Sequence, residues 1–297
     1  MAINLEVIDT FDFHQAPVYA LAANEHHLYS AGGDRNIFRY HKASGQWAAE
    51  LFAITTESTF ALHIDGDHLM SGGIAGNLNV FDVQKKTILH RFESHEQGIY
   101  SITSNNEFLI TGGGDGKIHL WKKNQWQIVR TIWTAQSKIR KFIWSEDKKF
   151  MAAIDNAGYF RIFETQWWNE VFTYKHTTGW TGGSYYTEKK VWLLGSQHGE
   201  IVAFQSANPS PIVQIQAHQN AIYEIVNDEE WPIIISASLD KSVKCWSNQT
   251  LELLSKIERI GESPLRSVNT LLKWNGLLAF AGDDKKIHLT KICFFKE

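Results

Sequence analysis

Histidine is the residue type in this chain with the widest chemical range. The sequence contains 13 histidines, enough to raise the question of metal binding or acid–base chemistry. His26 and His27 are adjacent, so on a strand their side chains point to opposite faces and cannot share one ion. No His-x-x-x-His or Cys-x-x-Cys spacing occurs. We therefore predict no metal site and no cofactor.

The acidic and glycine-rich segments do not form a catalytic motif either. Asp283 and Asp284 fall in a predicted turn, where solvated carboxylates are common. Gly112, Gly113 and Gly114 follow a strand-like run, but the helix that a phosphate-binding glycine loop requires does not come after them. These segments favour a protein without enzymatic activity.

Charge and composition exclude several classes of protein. The net charge is −3, with 29 basic and 32 acidic residues, which is unlike the basic footprint of a nucleic-acid-binding protein. Only 2 cysteines are present, too few for a disulfide framework. The first residues lack a signal-peptide pattern, and no apolar run approaches the roughly 20 residues of a membrane helix. We expect a cytoplasmic protein that binds neither membrane nor nucleic acid.

One short pattern recurs seven times and determines the predicted fold. It consists of small residues, a turn residue, an aliphatic residue and then an aromatic one, as in Ser30–Asp34 followed by Tyr40. The turn residues succeed one another at steps of 40 to 44 positions: Asp34, Ala75, Asp115, Ala157, His198, Asp240 and Asp284. Such periods are typical of repeat architectures. Seven units account for the whole chain, so we predict a single domain over residues 1–297.

Each unit is built from short extended runs, which the third unit shows best. Ile99–Ile102, Phe108–Thr111, Lys117–Trp121 and Gln127–Ile132 are rich in β-branched and aromatic residues and are separated by turn signals. Such runs predict strands joined by hairpins. Four antiparallel strands per unit of about 41 residues match one blade of a β-propeller. The predicted fold is therefore an all-β, seven-bladed β-propeller.

The two ends of the chain are predicted to complete one blade together. After Thr290 the seventh unit has too few residues for its outer strand. Leu5–Phe11 precedes the first unit and has the character of an outer strand. An open ring would leave unpaired strand edges, so we predict that the N-terminal strand closes the last blade.

These repeats resemble the WD-repeat family over essentially the whole chain. In that family a blade is held by a His before the inner strand, a Ser or Thr on the second strand, an Asp in the next turn and a Trp on the third. A buried His needs both ring nitrogens paired, and such a network stabilises only when complete. The first unit has His14, Ser30 and Asp34 with Tyr40 in place of Trp. The resemblance implies complete structural tetrads in two units: His95, Thr111, Asp115, Trp121, and His218, Ser236, Asp240, Trp246.

The resemblance also implies a contact face around the central channel. In similar propellers, the residues beside an inner-strand aliphatic position project there. We place these aliphatic positions at Val18, Thr59, Ile99, Ile139, Trp180, Ile222 and Leu265. The predicted partner-binding residues are Tyr19, Phe60, Tyr100, Lys138, Arg140, Trp180, Tyr223 and Arg266. Aromatic and basic residues are enriched at binding hot spots, which favours a peptide partner with acidic and apolar side chains. The alternative, that these aromatics fill gaps between inner strands, stays open.

The predicted function is a non-enzymatic scaffold or adaptor that binds a protein or peptide partner on this face. The alternative is an enzyme or small-molecule-binding propeller that uses the channel mouth, although converging His, Asp and Glu residues are missing from the mapped positions. Nucleic-acid binding through Lys138, Arg140 and Arg266 is a third hypothesis, and three charges are few for that task. The sequence does not identify the partner.

Overall fold

Short runs of β-branched and aromatic residues, separated by Asn-, Asp- and Gly-containing turns, form nearly every regular element of this protein. The computed structural model describes residues 2–134, 137–205, 208–228, 230 and 233–295. Within these residues the strands form seven four-stranded antiparallel sheets and one short two-stranded hairpin. The predicted seven-bladed β-propeller is confirmed.

The first three blades follow one another directly along the chain, after the strand β1 (Ala2–Phe11). Blade 1 contains β2 (Val18–Ala23), β3 (Leu28–Gly32), β4 (Asn36–Ala43) and β5 (Gln46–Ile54). Blade 2 contains β6 (Thr59–Asp65), β7 (His68–Gly73), β8 (Asn77–Asp82) and β9 (Thr87–Glu93). Blade 3 contains β10 (Ile99–Ser104), β11 (Phe108–Gly113), β12 (Lys117–Lys122) and β13 (Gln127–Trp133).

The remaining blades keep the same strand order. Blade 4 contains β14 (Ile139–Trp144), β15 (Phe150–Asp155), β16 (Tyr159–Glu164) and β17 (Glu170–Lys175). Blade 5 contains β18 (Trp180–Tyr186), β19 (Val191–Ser196), β20 (Glu200–Gln205) and β21 (Asn208–Gln216). Blade 6 contains β22 (Ile222–Asp228), β23 (Ile233–Ser238), β24 (Val243–Ser247) and β25 (Leu253–Ile257). The hairpin of β26 (Arg259–Ile260) and β27 (Ser263–Pro264) leads to β28 (Val268–Trp274), β29 (Leu277–Gly282) and β30 (Ile287–Phe295) of blade 7.

The fourth strand of blade 7 comes from the other end of the chain. Strand β1 pairs antiparallel with β30, from Ala2 opposite Phe295 to Phe11 opposite Ile287. The predicted closure by the N-terminal strand is confirmed. Phe11 also packs on blade 1, because its ring lies 4.6 Å from that of Tyr40. The closing strand therefore completes a sheet and contributes to the contact between the last and first blades.

The hydrophobic core lies between neighbouring blades. The cluster that joins blades 7 and 1 shows the principle, because Ala281 and Leu289 of one blade pack against Val18 and Leu28 of the other. Comparable clusters join the other neighbouring blades, for example Ile154 and Phe160 of blade 4 with aromatic residues of blade 5. Because each blade buries its faces only against its neighbours, stability depends on an unbroken ring.

A residue with positive φ closes the turn between the second and third strand of each blade. In blade 2 this residue is Gly76, with φ of 90°, and a Cβ there would lie 2.1 Å from the carbonyl oxygen of His95. Only glycine fits so close an approach of two backbones. In blades 1, 6 and 7 the same turn is made by Arg35, Lys241 and Lys285, with φ between 66° and 68°.

Candidate partner-binding face

A β-bulge at the start of every inner strand positions the side chains that line the channel. In blade 1, Val18 pairs with Gly32 and Ala20 with Ala31, so the ladder skips Tyr19. A bulge leaves its extra residue unpaired and redirects its side chain. The skipped residues of the seven blades are Tyr19, Phe60, Tyr100, Arg140, Thr181, Tyr223 and Asn269. All seven line one cavity of about 370 Å³ at the centre of the ring.

Three aromatic side chains from consecutive blades form a continuous row in this cavity. The ring centroids of Tyr19 and Phe60 are 5.0 Å apart, and those of Phe60 and Tyr100 are 5.1 Å apart. All three residues are half-buried, so each ring packs on a neighbour and still presents surface to the cavity. We call Tyr19, Phe60 and Tyr100 the aromatic row.

Two cations continue the aromatic row around the channel. Lys138 Nζ lies 4.0 Å from the centre of the Tyr100 ring, and Arg140 Cζ lies 5.7 Å from it. Both distances are within the range of cation–π attraction. Neither side chain forms an ion pair with a carboxylate in the part of the chain that the structure describes. No carboxylate among the described residues therefore neutralises the positive charge on this side of the channel.

An ion pair between non-adjacent blades lies among the residues that line the cavity. Lys141 Nζ of blade 4 contacts Glu224 Oε1 of blade 6. The inner strand of blade 5 stands between these blades and carries Gly182 and Gly183, which have no side chains to separate the pair. Glu224 pairs with Lys141, and the described residues show no ion pair from this carboxylate to Lys138 or Arg140.

The structure places six of the eight predicted partner-binding residues around this cavity. They are Tyr19, Phe60, Tyr100, Lys138, Arg140 and Tyr223. Sequence reasoning missed Asn269, Lys141 and Glu224 as lining residues. Asn269 was detectable in principle, because Val268 stands opposite Gly282 as Val18 stands opposite Gly32. Nothing in the repeat pattern indicates the Lys141–Glu224 pair, because these two residues are 83 positions apart in the sequence and meet only in the folded ring.

The prediction that Trp180 belongs to the binding surface is wrong. Its side chain is fully buried and packs in the core between blades 4 and 5, with its ring 4.5 Å from that of His176. The reason is the bulge, since Trp180 pairs with Ser196 in the ladder and precedes the skipped residue Thr181. A residue that is paired in the ladder at this point directs its side chain into the core between the blades.

The assignment of Arg266 to the channel is also wrong. Arg266 is exposed and lines a separate cavity beside the β26–β27 hairpin. The inner-strand position that the repeat pattern gave to Leu265 belongs to Val268, and the bulged residue of blade 7 is Asn269. The hairpin lengthens the connection from blade 6 to blade 7, so the average repeat spacing placed the start of this inner strand three residues too early.

The side chains of both predicted tetrads lie within hydrogen-bonding distance of one another. In blade 3, His95 Nδ1 is 3.0 Å from Asp115 Oδ1 and His95 Nε2 is 2.9 Å from Thr111 Oγ1, to which the Trp121 indole N–H donates at 3.1 Å. In blade 6 the corresponding distances are 2.9, 2.7 and 2.8 Å. They link His218 to Asp240 and Ser236, and Trp246 to Ser236.

The other blades replace parts of this network. In blade 1, the Tyr40 hydroxyl lies 2.9 Å from Ser30 Oγ and takes the place of the indole. In blade 2, the Glu57 carboxylate accepts from the backbone N–H of Asn77 at 3.3 Å. In blade 4, buried Asp155 pairs with Arg161 at 3.0 Å. Blades 1, 2 and 4 thus have polar side-chain contacts of different chemistry in this region.

The described residues contain neither a metal-binding cluster nor a membrane-spanning helix. Within residues 2–134, 137–205, 208–228, 230 and 233–295, no three His, Cys, Asp or Glu side chains converge as metal ligands would. In the same ranges no helix has the length and apolar character needed to cross a membrane.

Comparison with solved structures and family models agrees with this architecture. The crystal structure of the WD40 β-propeller domain of Doa1 superposes with a TM-score of 0.85 over 97% of each chain, at 15% sequence identity. The model of the WD domain, G-beta repeat, matches residues 86–122 and 209–247, and these ranges contain every residue of the two complete tetrads. The protein is a seven-bladed β-propeller, and two segments of it match the WD40 repeat model. At this identity, the likeness to the Doa1 domain concerns the fold alone.

Several curated proteins match parts of this propeller. Cell division cycle 20.5, cofactor of APC complex, from Arabidopsis thaliana is 27% identical over 46% of this chain and 33% of its own length. Meiotic fizzy-related protein 1 from Schizosaccharomyces pombe is 31% identical over 34% of this chain and 25% of its own length. Shk1 kinase-binding protein 15 from the same yeast is 31% identical over 27% of this chain. The matches span a third or less of each relative. Propellers of this kind are typically interaction scaffolds or regulators and are generally non-enzymatic.

Proposed function

We propose that this WD-repeat propeller is a non-enzymatic scaffold or adaptor that binds a protein or peptide partner at the mouth of its central channel. The binding residues are Tyr19, Phe60, Tyr100, Lys138, Arg140 and Tyr223. The observation that carries the proposal is the aromatic row, half-exposed in an open cavity and continued by two cations that no carboxylate of the described residues neutralises.

The chemistry of these side chains suits protein recognition. Tyr provides a large contact area at a low cost in conformational freedom, and both Tyr and Arg are enriched at interface hot spots. The rings of the aromatic row already pack on one another, so a partner would find them preorganised. One relative is named a kinase-binding protein, and another is named a cofactor of the APC complex.

The alternative of an enzyme at the channel mouth would depend on Lys141 and Glu224, which contact each other in the cavity; burial lowers the pKa of Lys141 to about 7. General acid–base catalysis requires a titratable group that can exchange a proton with the substrate. Among the described residues that line the cavity, Glu224 is the only carboxylate, and Lys141 contacts it. No histidine lines the cavity in the same part of the chain.

The proposal is tested by partner capture with matched variants. Proteins retained by the immobilised wild-type chain are identified by mass spectrometry, and the same proteins are then quantified on the double variant Tyr19→Ala/Tyr100→Ala. Loss of two interface aromatics is expected to reduce capture at least tenfold. The control is Trp167→Ala, which removes a 66% exposed aromatic outside the channel and is expected to retain capture.

The outcomes discriminate between binding and structural roles of the aromatic row. Equal capture by the double variant and the wild type would refute the proposal. A double variant that is unfolded by circular dichroism would instead support the gap-filling role, and the proposal would then fail. Loss of capture with the Trp167 variant alone would place the binding surface on the outer side of the propeller.

A further inference from the structure

Arg140 is a charged group of the channel that forms no ion pair with the described carboxylates and whose guanidinium has a buried atom without a partner. It is the bulged residue of blade 4, so its side chain projects into the cavity. Its Nε atom is buried and has no hydrogen-bond partner among the described residues. The interactions observed for this guanidinium are with aromatic rings, such as Tyr100 at 5.7 Å. Burial lowers the pKa of Arg140, partly offset by Tyr223 and Tyr100.

An arginine held in this way is unfavourable for the isolated protein. Transfer of a cation out of water costs free energy unless hydrogen bonds and an opposite charge compensate it. Glu224, the carboxylate that lines the cavity, forms its ion pair with Lys141. Lys138 adds a second positive charge beside the Tyr100 ring. The pocket therefore has space for an anionic ligand, and such a ligand would compensate the charge of Arg140.

We infer that the channel pocket binds the side-chain carboxylate of a glutamate or aspartate in the partner peptide, held by the Arg140 guanidinium. This inference rests on the proposed function and names the chemistry that the partner must carry. A planar guanidinium matches a carboxylate with two parallel hydrogen bonds. In the peptide, apolar residues next to the acidic one would pack on the aromatic row. Tyr100 of this row lies 5.7 Å from the Arg140 guanidinium, and Phe60 lies 5.1 Å from Tyr100. The peptide thus needs one acidic side chain beside apolar ones.

The first test measures whether the pocket discriminates charge. The probes are terminally blocked nine-residue peptide pools with leucine-rich flanks, in which the central residue is either Glu or its neutral isostere Gln. Wild-type protein is expected to bind the Glu pool at least tenfold more tightly, the effect of a charge-assisted hydrogen bond. Arg140→Met should remove this preference. Arg266→Met, which removes an exposed cation outside the channel, should keep it.

The second test separates a binding role from a structural one. Because Arg140 is half-buried, with its Nε atom buried and without a partner among the described residues, Arg140→Met is expected to leave the melting temperature of the unliganded protein unchanged or to raise it. A structural arginine would behave in the opposite way. A fall of several degrees in the melting temperature of Arg140→Met would therefore overturn the inference, as would equal binding of the Glu and Gln pools to the wild type.

A third arm distinguishes a peptide from a small metabolite as the source of the carboxylate. Glutarate and inorganic phosphate are titrated against the wild type and followed by thermal shift. Stabilisation by glutarate together with no Glu preference among the peptides would refute the peptide assignment. The proposed function fails separately: capture that is lost in Tyr19→Ala/Tyr100→Ala but kept in Arg140→Met refutes only the present inference, whereas capture unaffected by either variant refutes the proposed function.

Discussion

Replacement of Phe11 by alanine tests the closure of the ring by a single side chain. Phe11 is the last residue of β1, is 5% exposed and packs in the core between blades 7 and 1. Its ring lies 4.6 Å from Tyr40 and 6.3 Å from Trp47. Truncation of a buried phenylalanine to alanine typically costs about 3–5 kcal/mol, from lost burial and the cavity that remains. We expect the free energy of unfolding to fall by that amount.

Phe13 provides the matched control for this substitution. It lies two residues further along the chain and is 46% exposed, so Phe13→Ala should cost less than about 1 kcal/mol. Both variants are compared with the wild type by equilibrium unfolding in guanidinium chloride, monitored by tryptophan fluorescence. If Phe11→Ala were no more destabilising than Phe13→Ala, the account of β1 as the closing strand of the core would be refuted.

Two further predictions concern the tetrad of blade 3. Thr111→Val removes the partner of His95 Nε2 and of the Trp121 indole. Two buried polar groups without partners should lower the free energy of unfolding by about 2–4 kcal/mol, and exposed Thr250→Val, with a negligible effect, is the control. Burial alone would raise the pKa of Asp115, but hydrogen bonds from His95 and the backbone hold it at about 2. Because the unfolded value is about 3.9, this stabilisation is present above pH ~4 and is lost as the pH falls to about 2. Asp115→Asn should therefore be less stable at pH 7 and lose less stability in that range, and identical acid unfolding curves would contradict this.

The fold could be predicted from the sequence because its signals are local and repeated. Each blade requires small residues followed by a tight turn, and these recur every 40 to 44 residues. This constant spacing identifies a blade even where the residues of the tetrad have changed. The closing strand was predictable for the same reason, since a unit that lacks its outer strand implies a donor elsewhere. The pattern Phe11–His14 resembles the ends of other outer strands, and the structure pairs β1 with β30 as expected.

The site was only partly predictable because a bulge of one residue decides which side chain faces the channel. The repeat spacing located this bulge in six blades, but Trp180 is a ladder residue that turns into the core. In blade 7 the β26–β27 hairpin shifts the inner strand, so Asn269 takes the place predicted for Arg266. The Lys141–Glu224 contact joins two blades across a third, and no periodic pattern contains that information.

Hydrogen exchange of the complex tests the central claim most directly. Once a partner has been captured, amide exchange of the propeller is measured by mass spectrometry with and without it. We predict that protection will concentrate in the starts of the inner strands that carry the aromatic row and Arg140, at residues 17–21, 58–62, 98–102 and 138–142. Protection confined to the outer strands, with these four segments unchanged, would contradict the account.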